Sequence, residues 1–192
     1  YTLDTKIKNY GFFSYAVNES LHLSAKEQAI ISGIGKNIDE ELETAIDEIS
    51  QDVLISQIEL LLNYSQRFYK RQFITRKPIN NALLEKLDSI LDTYFTEKTA
   101  LMQGLPKVQF LADQLNISPK YLGDMLRALT GQNTQQHIHN KLLEKAKEVL
   151  TISDLTVGEI AFQLGFEHPQ SFSKFFKSKT NFSPLEFRAS YN

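Results

Sequence analysis

The sequence predicts a mainly α-helical protein: a tandem helix-turn-helix domain of about seven helices with a central linker helix, preceded by a helical hairpin and a short β remnant. Three observations carry this expectation. Val108, Leu111, Ala112, Leu115, Asn116 and Ile117 recur as Val157, Ile160, Ala161, Leu164, Gly165 and Phe166, each 49 positions later. After a one-residue insertion the match resumes at an offset of 50, with Leu122, Met125, Leu126, Thr130 and Gly131 against Phe172, Phe175, Phe176, Thr180 and Asn181. Further upstream, residues 24–69 carry apolar side chains at spacings of three and four, the period of a helix packed on one face. One supersecondary unit used in tandem explains the first two observations, and a helical hairpin explains the third.

The bulk numbers bound the rest. The 192 residues suffice for one or two domains, and 42% of them are hydrophobic. Cys is absent, which excludes disulfides and Cys-ligated metal and suits a reducing compartment. No apolar run approaches the ~20 residues of a membrane helix. The chain opens on Tyr1 in a polar, mixed segment without an initiator Met. That opening is no signal peptide and reads as part of a longer protein. The net charge is −2, unevenly spread: 10 Lys and Arg against 8 Asp and Glu from Gly104 onward leave 11 against 15 for residues 1–103. The repeat-bearing half is therefore the more basic one, though too mildly to indicate nucleic acid by itself.

In chain order, residues 1–23 place Tyr10, Phe12, Phe13, Tyr15 and Val17 in near alternation, which predicts a short strand or hairpin remnant. Ser24 and Glu27 form a capping box that starts a long helix with the stripe Ile31, Ile34, Ile38, Leu42 and Ile46. Ser50 is a second N-cap, followed by Leu54, Ile58, Leu61, Leu62, Ser65 and Phe68 on a helix to about Tyr69. The two helices bury their stripes on each other, or on each other and on a second copy of the chain; near-heptad spacing leaves both readings open. Arg71–Asn81, polar and basic with Pro78, reads as a linker between residues 24–70 and a domain over 82–192. A helix with Leu83, Leu84, Leu87, Ile90, Leu91, Tyr94 and Phe95 follows, and Gly104-Leu105-Pro106 breaks it.

The tandem units span about 105–131 and 154–181. In the first, Val108–Leu115 is a short helix, Asn116 supplies a left-handed end, Ile117 plugs the turn, and Ser118-Pro119 starts a second helix that Gly131 ends. In the second, Gly165 replaces Asn116, and Phe172, Phe175 and Phe176 form the core face. Asn181 replaces Gly131, and Ser183-Pro184 starts a last helix through Arg188. Subtracting the apolar positions leaves Lys120, Gly123, Asp124 and Arg127 exposed on the first reading helix. Pro169, Gln170, Ser171, Ser173, Lys174 and Lys177 remain on the second. These side chains suit base edges and phosphates. A solvated face would account for either helix alone; two helices with matching grammar favour a reader of DNA. Between them Asn133–Leu150 reads as one stiff helix that fixes the distance between the readers.

Leu105–Asn192 resembles the tandem helix-turn-helix domain of AraC-family transcription regulators. The stretches LADQLNISPKYLGDMLRALTG, EKAKEVL and VGEIAFQLGFEHPQSFSKFFKSKTNFSPLEFR carry the resemblance. It implies a sequence-specific regulator that places one helix of each unit in successive major grooves of double-stranded DNA. The base-facing candidates are then Lys120, Gly123, Asp124, Arg127, Pro169, Gln170, Ser171, Ser173 and Lys174, with Lys141 and Lys177 on the phosphate backbone. Leu142 stands where many members carry Arg, Gly123 has no side chain to offer, and Asp124 can only accept. "GFFSYAVNESLHLSAKEQ" resembles the tail of the sensing β-barrel, and "RFYKRQFITR" the run that joins a dimerisation hairpin to the DNA-binding domain. The resemblance further implies a bacterial cytoplasmic, nucleoid-associated homodimer through residues 24–69, with RNA polymerase as a further partner. Its small-molecule effector pocket would lie in the part of the barrel upstream of residue 1. No cofactor, metal or catalytic residue is expected: His137 and His139 point to different faces of one helix, and neither a phosphate loop nor a nucleophile motif is present. A helical adaptor for proteins is the competing class, and salt-dependent DNA binding separates the two.

Overall fold

A computed structural model describes residues 3–44 and 47–191; Tyr1 and the expected stripe residue Ile46 lie outside them. Among the described residues the chain forms eleven α-helices and no strand. They are α1 (Leu3–Ile7), α2 (Ala25–Glu43), α3 (Ser50–Thr75), α4 (Lys77–Thr96), α5 (Thr99–Gln103), α6 (Val108–Leu115), α7 (Pro119–Thr130), α8 (Thr134–Ile152), α9 (Val157–Gln163), α10 (Pro169–Thr180) and α11 (Pro184–Ala189). None is long and apolar enough to cross a membrane. The chain divides into two compact units, one of Tyr1–Asn80 with Lys120–Gly131, the other of Asn81–Pro119 with Gln132–Asn192. Helix α7, expected within a domain over 82–192, thus clusters with the N-terminal part.

In the first unit the hairpin of α2 and α3 forms as the apolar period requires. Ser24 caps α2, accepting from the Glu27 N–H, while Glu27 accepts from the Ser24 N–H at 2.8 Å. Arg71 of α3 reaches the same Glu27 at 2.7 Å, tying the start of α2 to the end of α3. Backbone and hydroxyl bonds from Ser24, with Arg71 beside them, hold the Glu27 carboxyl below its ordinary range. Ser50 does not cap α3. The N-cap is Ile49, which has no side-chain cap, and Asp47 Oδ1 just before it accepts from the N–H groups of Ile49 and Ser50 at 2.8 and 2.9 Å. Ile34 is buried, whereas Leu42 is 61% exposed.

The expected β remnant is absent. Gly11–Ser14 and Val17–Glu19 are single 3₁₀ turns instead. A strand needs a ladder partner, and this segment finds side-chain partners on α3. Gln72 accepts from the His22 N–H at 2.8 Å and donates to the Ser20 carbonyl at 3.2 Å. Tyr10 donates to Asn63, and Lys6 pairs with Glu59 at 2.6 Å. The expected linker over 71–81 is also helical on both sides of Arg76. Gln72, Phe73 and Asn80 are buried there, and the Asn80 amide donates to the Phe73 carbonyl. Pro78 falls in the first turn of α4, where a missing N–H costs nothing.

In the second unit Leu87, Leu91 and Tyr94 of α4, Ile138, Leu142, Ala146 and Leu150 of α8, and Ile160, Ala161 and Leu164 of α9 are buried together with Phe172 and Phe176 of α10. Lys141 and Lys145 clamp α8 to α4, pairing with Asp88 at 3.2 Å and Asp92 at 2.9 Å respectively. Arg188 of α11 donates to the carbonyls of Leu150 and Leu155, at 3.0 and 2.7 Å, closing the open end of α8. Asn133, Thr156 and Ser183 cap α8, α9 and α11, each in a capping box. Asn116 and Asn181 take the expected left-handed geometry at φ 55° and 65°. Gly165 has φ +89°, and a Cβ there would lie 2.7 Å from the backbone of Gly104. Phe175 departs from the expected core set: only Phe172 and Phe176 are fully buried, while Phe175 is half-buried beside His139 and Phe166.

Two expectations follow for stability. Phe176→Ala should cost ~3–5 kcal/mol and Phe175→Ala clearly less in urea unfolding, since only the first leaves an enclosed void; equal losses would contradict this packing. The pH dependence is set in part by His139, which burial, with Lys179 nearby, holds below the ordinary imidazole value. As the pH falls below about 6.5 the unfolded chain takes up this proton before the folded one. The stability that His139 contributes is therefore complete above that value and is lost as the pH drops through the lower folded one. His139→Gln should flatten the fall in melting temperature between about pH 7 and 5.

Candidate nucleic-acid interface

Helix α10 is built as a one-faced helix. Phe172 and Phe176 recur four apart and are fully buried, so the opposite side is forced outward. Gln170, Ser171, Lys174 and Lys177 stand exposed there, and Pro169 and Ser173 are partly exposed. Ser173 donates its hydroxyl to the Pro169 carbonyl at 3.1 Å. Pro169 occupies the first helical position, and His168 before it provides no side-chain cap, unlike Asn133, Thr156 and Ser183. Pro169 brings no N–H to this turn, and the Ser171 N–H bonds back to the His168 carbonyl at 3.0 Å. Lys177 and Lys179 add positive charge in the last turn. The six residues expected here from sequence are brought together on one helix.

Helix α7 gathers Lys120, Gly123, Asp124 and Arg127 in the same way, but not as a bare face. Lys120 and Arg127 both pair with Asp124 Oδ1, at 2.9 and 3.2 Å. The second Asp124 oxygen accepts from the Tyr15 phenol at 2.9 Å. Burial, reinforced by the bond to Asp124, pushes the Tyr15 phenol far above its ordinary value, so it remains a donor. Tyr121, between Lys120 and Leu122, is buried with its ring 5.2 Å from Tyr15 and 5.0 Å from Phe73. Sequence reasoning missed both tyrosines. The signal lay in the repeat: Tyr121 stands where the second unit has Ser171, and Asp124 where it has Lys174. Asp124 is thus enclosed where an open side chain was expected.

Lys141, expected on the phosphate backbone, is instead buried against acidic partners. Burial pulls its ammonium down, and Asp88, Glu144 and Asp92 more than offset this, holding it above its ordinary value. Leu142 is fully buried, so this position serves the core. Among the described residues no group of three or more His, Asp or Glu is placed to hold a metal ion.

Residues 111–190 match the family model of a helix-turn-helix domain. The HTH-type transcriptional activator RhaS of Salmonella arizonae is 31% identical over 109 residues, which cover 57% of this chain and 37% of that protein. RhaS of Salmonella newport gives the same figures. The match therefore spans little more than a third of the length of these curated relatives. The solved structure of a transcriptional regulator with an AraC-type DNA-binding domain, from Chromobacterium violaceum, has a TM-score of 0.50 at 17% identity. It covers 58% of this chain and 93% of that one, and it shares the fold. Residues 111–190 thus carry a helix-turn-helix domain, and the chain is similar over 109 residues to the RhaS activators.

Proposed function

We propose that the chain is a sequence-specific DNA-binding transcription regulator that places α7 and α10 in adjacent major grooves. The observation that carries this reading is the open polar face of α10, fixed by the fully buried Phe172 and Phe176 behind it. The transcriptional activation for which the RhaS relatives are named supports it. Gln170, Ser171 and Lys174 would meet base edges, and Lys177 a phosphate. In this reading α8, with 19 residues, would be the connector between the two helices, whose grooves would lie ~34 Å apart. On α7, Lys120 and Arg127 would supply donors and Asp124 an acceptor for a cytosine amino group. The role is one of binding rather than catalysis, exercised in the cytoplasm on nucleoid DNA, with RNA polymerase as the partner that activation requires.

We further propose that residues 24–69 self-associate. Leu42 and Ile49, 61% and 64% exposed, flank the bend of the hairpin and leave apolar surface that a second copy would cover.

Lys174→Ala should weaken operator binding by ~1–3 kcal/mol without changing thermal stability. Its affinity, like that of the parent chain, should fall linearly on a logarithmic salt axis; salt-independent binding would point to a protein adaptor. In sedimentation the parent chain should run as a dimer, and Leu42→Glu with Ile49→Glu as a folded monomer. A monomeric parent would dispose of the self-association.

A further inference from the structure

Within the first unit, Tyr15, Tyr69 and α7 enclose a cleft of about 430 Å³, in the size range of small-molecule sites. We propose that this cleft binds a flat aromatic molecule carrying an anionic group, and that its occupancy is coupled to the reading face of α7; the coupling rests on the DNA-binding reading above. The aromatic preference comes from the walls. Phe12 stacks on Tyr69 at 5.6 Å and 16°, Tyr15 meets Tyr69 edge-on at 5.0 Å and 88°, and Phe73 closes the cavity behind them. Packed on one another, these rings present an aromatic wall to the cleft, against which a planar apolar body can lie.

The charge preference comes from the other side. Asp124, the one carboxylate that lines the cleft among the described residues, already accepts from Tyr15, Lys120 and Arg127. Its negative charge is matched by either cation, so one positive charge of that trio is left over. Lys70 adds a second from the α3 wall. An anionic group meets donors from two walls, whereas a cationic ligand meets only a carboxylate that three donors already hold.

The coupling follows from shared residues. Lys120, Asp124 and Arg127 line the cleft and are also the candidate base-contacting side chains of α7. The segment that covers them sits in direct contact: a Cβ on Gly11 would lie 2.4 Å from Lys120 Cε and 2.6 Å from Asp124 Oδ2. A ligand that consolidates this closed arrangement disfavours insertion of α7 into a groove, and by linkage DNA disfavours the ligand equally. A small-molecule site is then present within this chain.

The test is calorimetric titration of the full chain with naphthoate, against naphthamide as its neutral counterpart. Naphthoate should bind saturably at one site, with naphthamide roughly tenfold weaker. Lys70→Gln should lower naphthoate affinity about fivefold and leave naphthamide unmoved. Ile74→Trp, at an exposed position on the cleft wall, should fill the cavity and abolish both without lowering the melting temperature. Absence of saturable binding, or binding that survives Ile74→Trp, overturns the site. Saturating naphthoate should also weaken operator binding by the parent chain but not by Ile74→Trp. Naphthoate binding that leaves DNA affinity unchanged overturns the coupling. A chain that binds naphthoate but no DNA overturns the regulator reading and with it the coupling, while the site itself stands.

Discussion

Tyr121 is the side chain on which the two readers diverge. On α7 it extends the apolar arc of Leu122, Met125, Leu126 and Leu129 by a further position, so that arc reaches the flank of Asp124. A large aromatic ring on that flank has to be covered, and Tyr15 and Phe73 cover it at 5.2 and 5.0 Å. The second unit has Ser171 at the equivalent position and needs no such cover. One residue type at one register position thus separates a helix whose polar face is clasped from one whose polar face is free. The neighbouring difference, Asp124 against Lys174, acts in the same direction: the carboxylate gives the Tyr15 phenol an acceptor, which an ammonium could not.

Most of the architecture could be read from local rules, because local rules decide where helices begin and end. The capping box at Ser24, the left-handed residues Asn116, Gly131 and Asn181, and the start of α11 at Ser183-Pro184 all depend on neighbours within four residues. The same grammar was available at Asn133-Gln136 and Thr156-Glu159, where the boxes form. The second reading helix was legible for a related reason: burial of Phe172 and Phe176 fixes what remains outside.

The departures share a different cause, partners distant in sequence. The alternation around Tyr15 looks β-prone, yet its backbone and rings are met by Asn63, Tyr69 and Gln72 on α3, about fifty residues away, and 3₁₀ turns result. Arg71–Asn81 is polar enough for a linker, but Gln72, Phe73 and Asn80 are buried in it, so the chain stays helical. Lys141 reads as a phosphate-contacting cation until Asp88 and Asp92 of α4 arrive beside it. A charge on a helix face is free only if no other element brings the opposite charge to it, and one sequence gives no direct sign of that.

The magnitudes place the clasp on α7 where a regulator could use it. A hydrogen bond such as Tyr15 to Asp124 is worth ~0.5–1.5 kcal/mol net, more with a charged acceptor, and each aromatic pair on Tyr121 adds ~0.5–1.5 kcal/mol beyond its burial. Together they favour the closed face by a few kcal/mol, enough to keep the open form a minor state. One good side-chain contact to a base contributes ~1–3 kcal/mol, so two or three contacts by α7 would match the clasp. A helix held by a much larger energy could not be recruited, and one held by much less would need no release. Helix α10 carries no such opposing term on its open face. The proposed division of labour is therefore unconditional reading by α10 and conditional reading by α7, with the condition set by whatever occupies the cleft beside Tyr15.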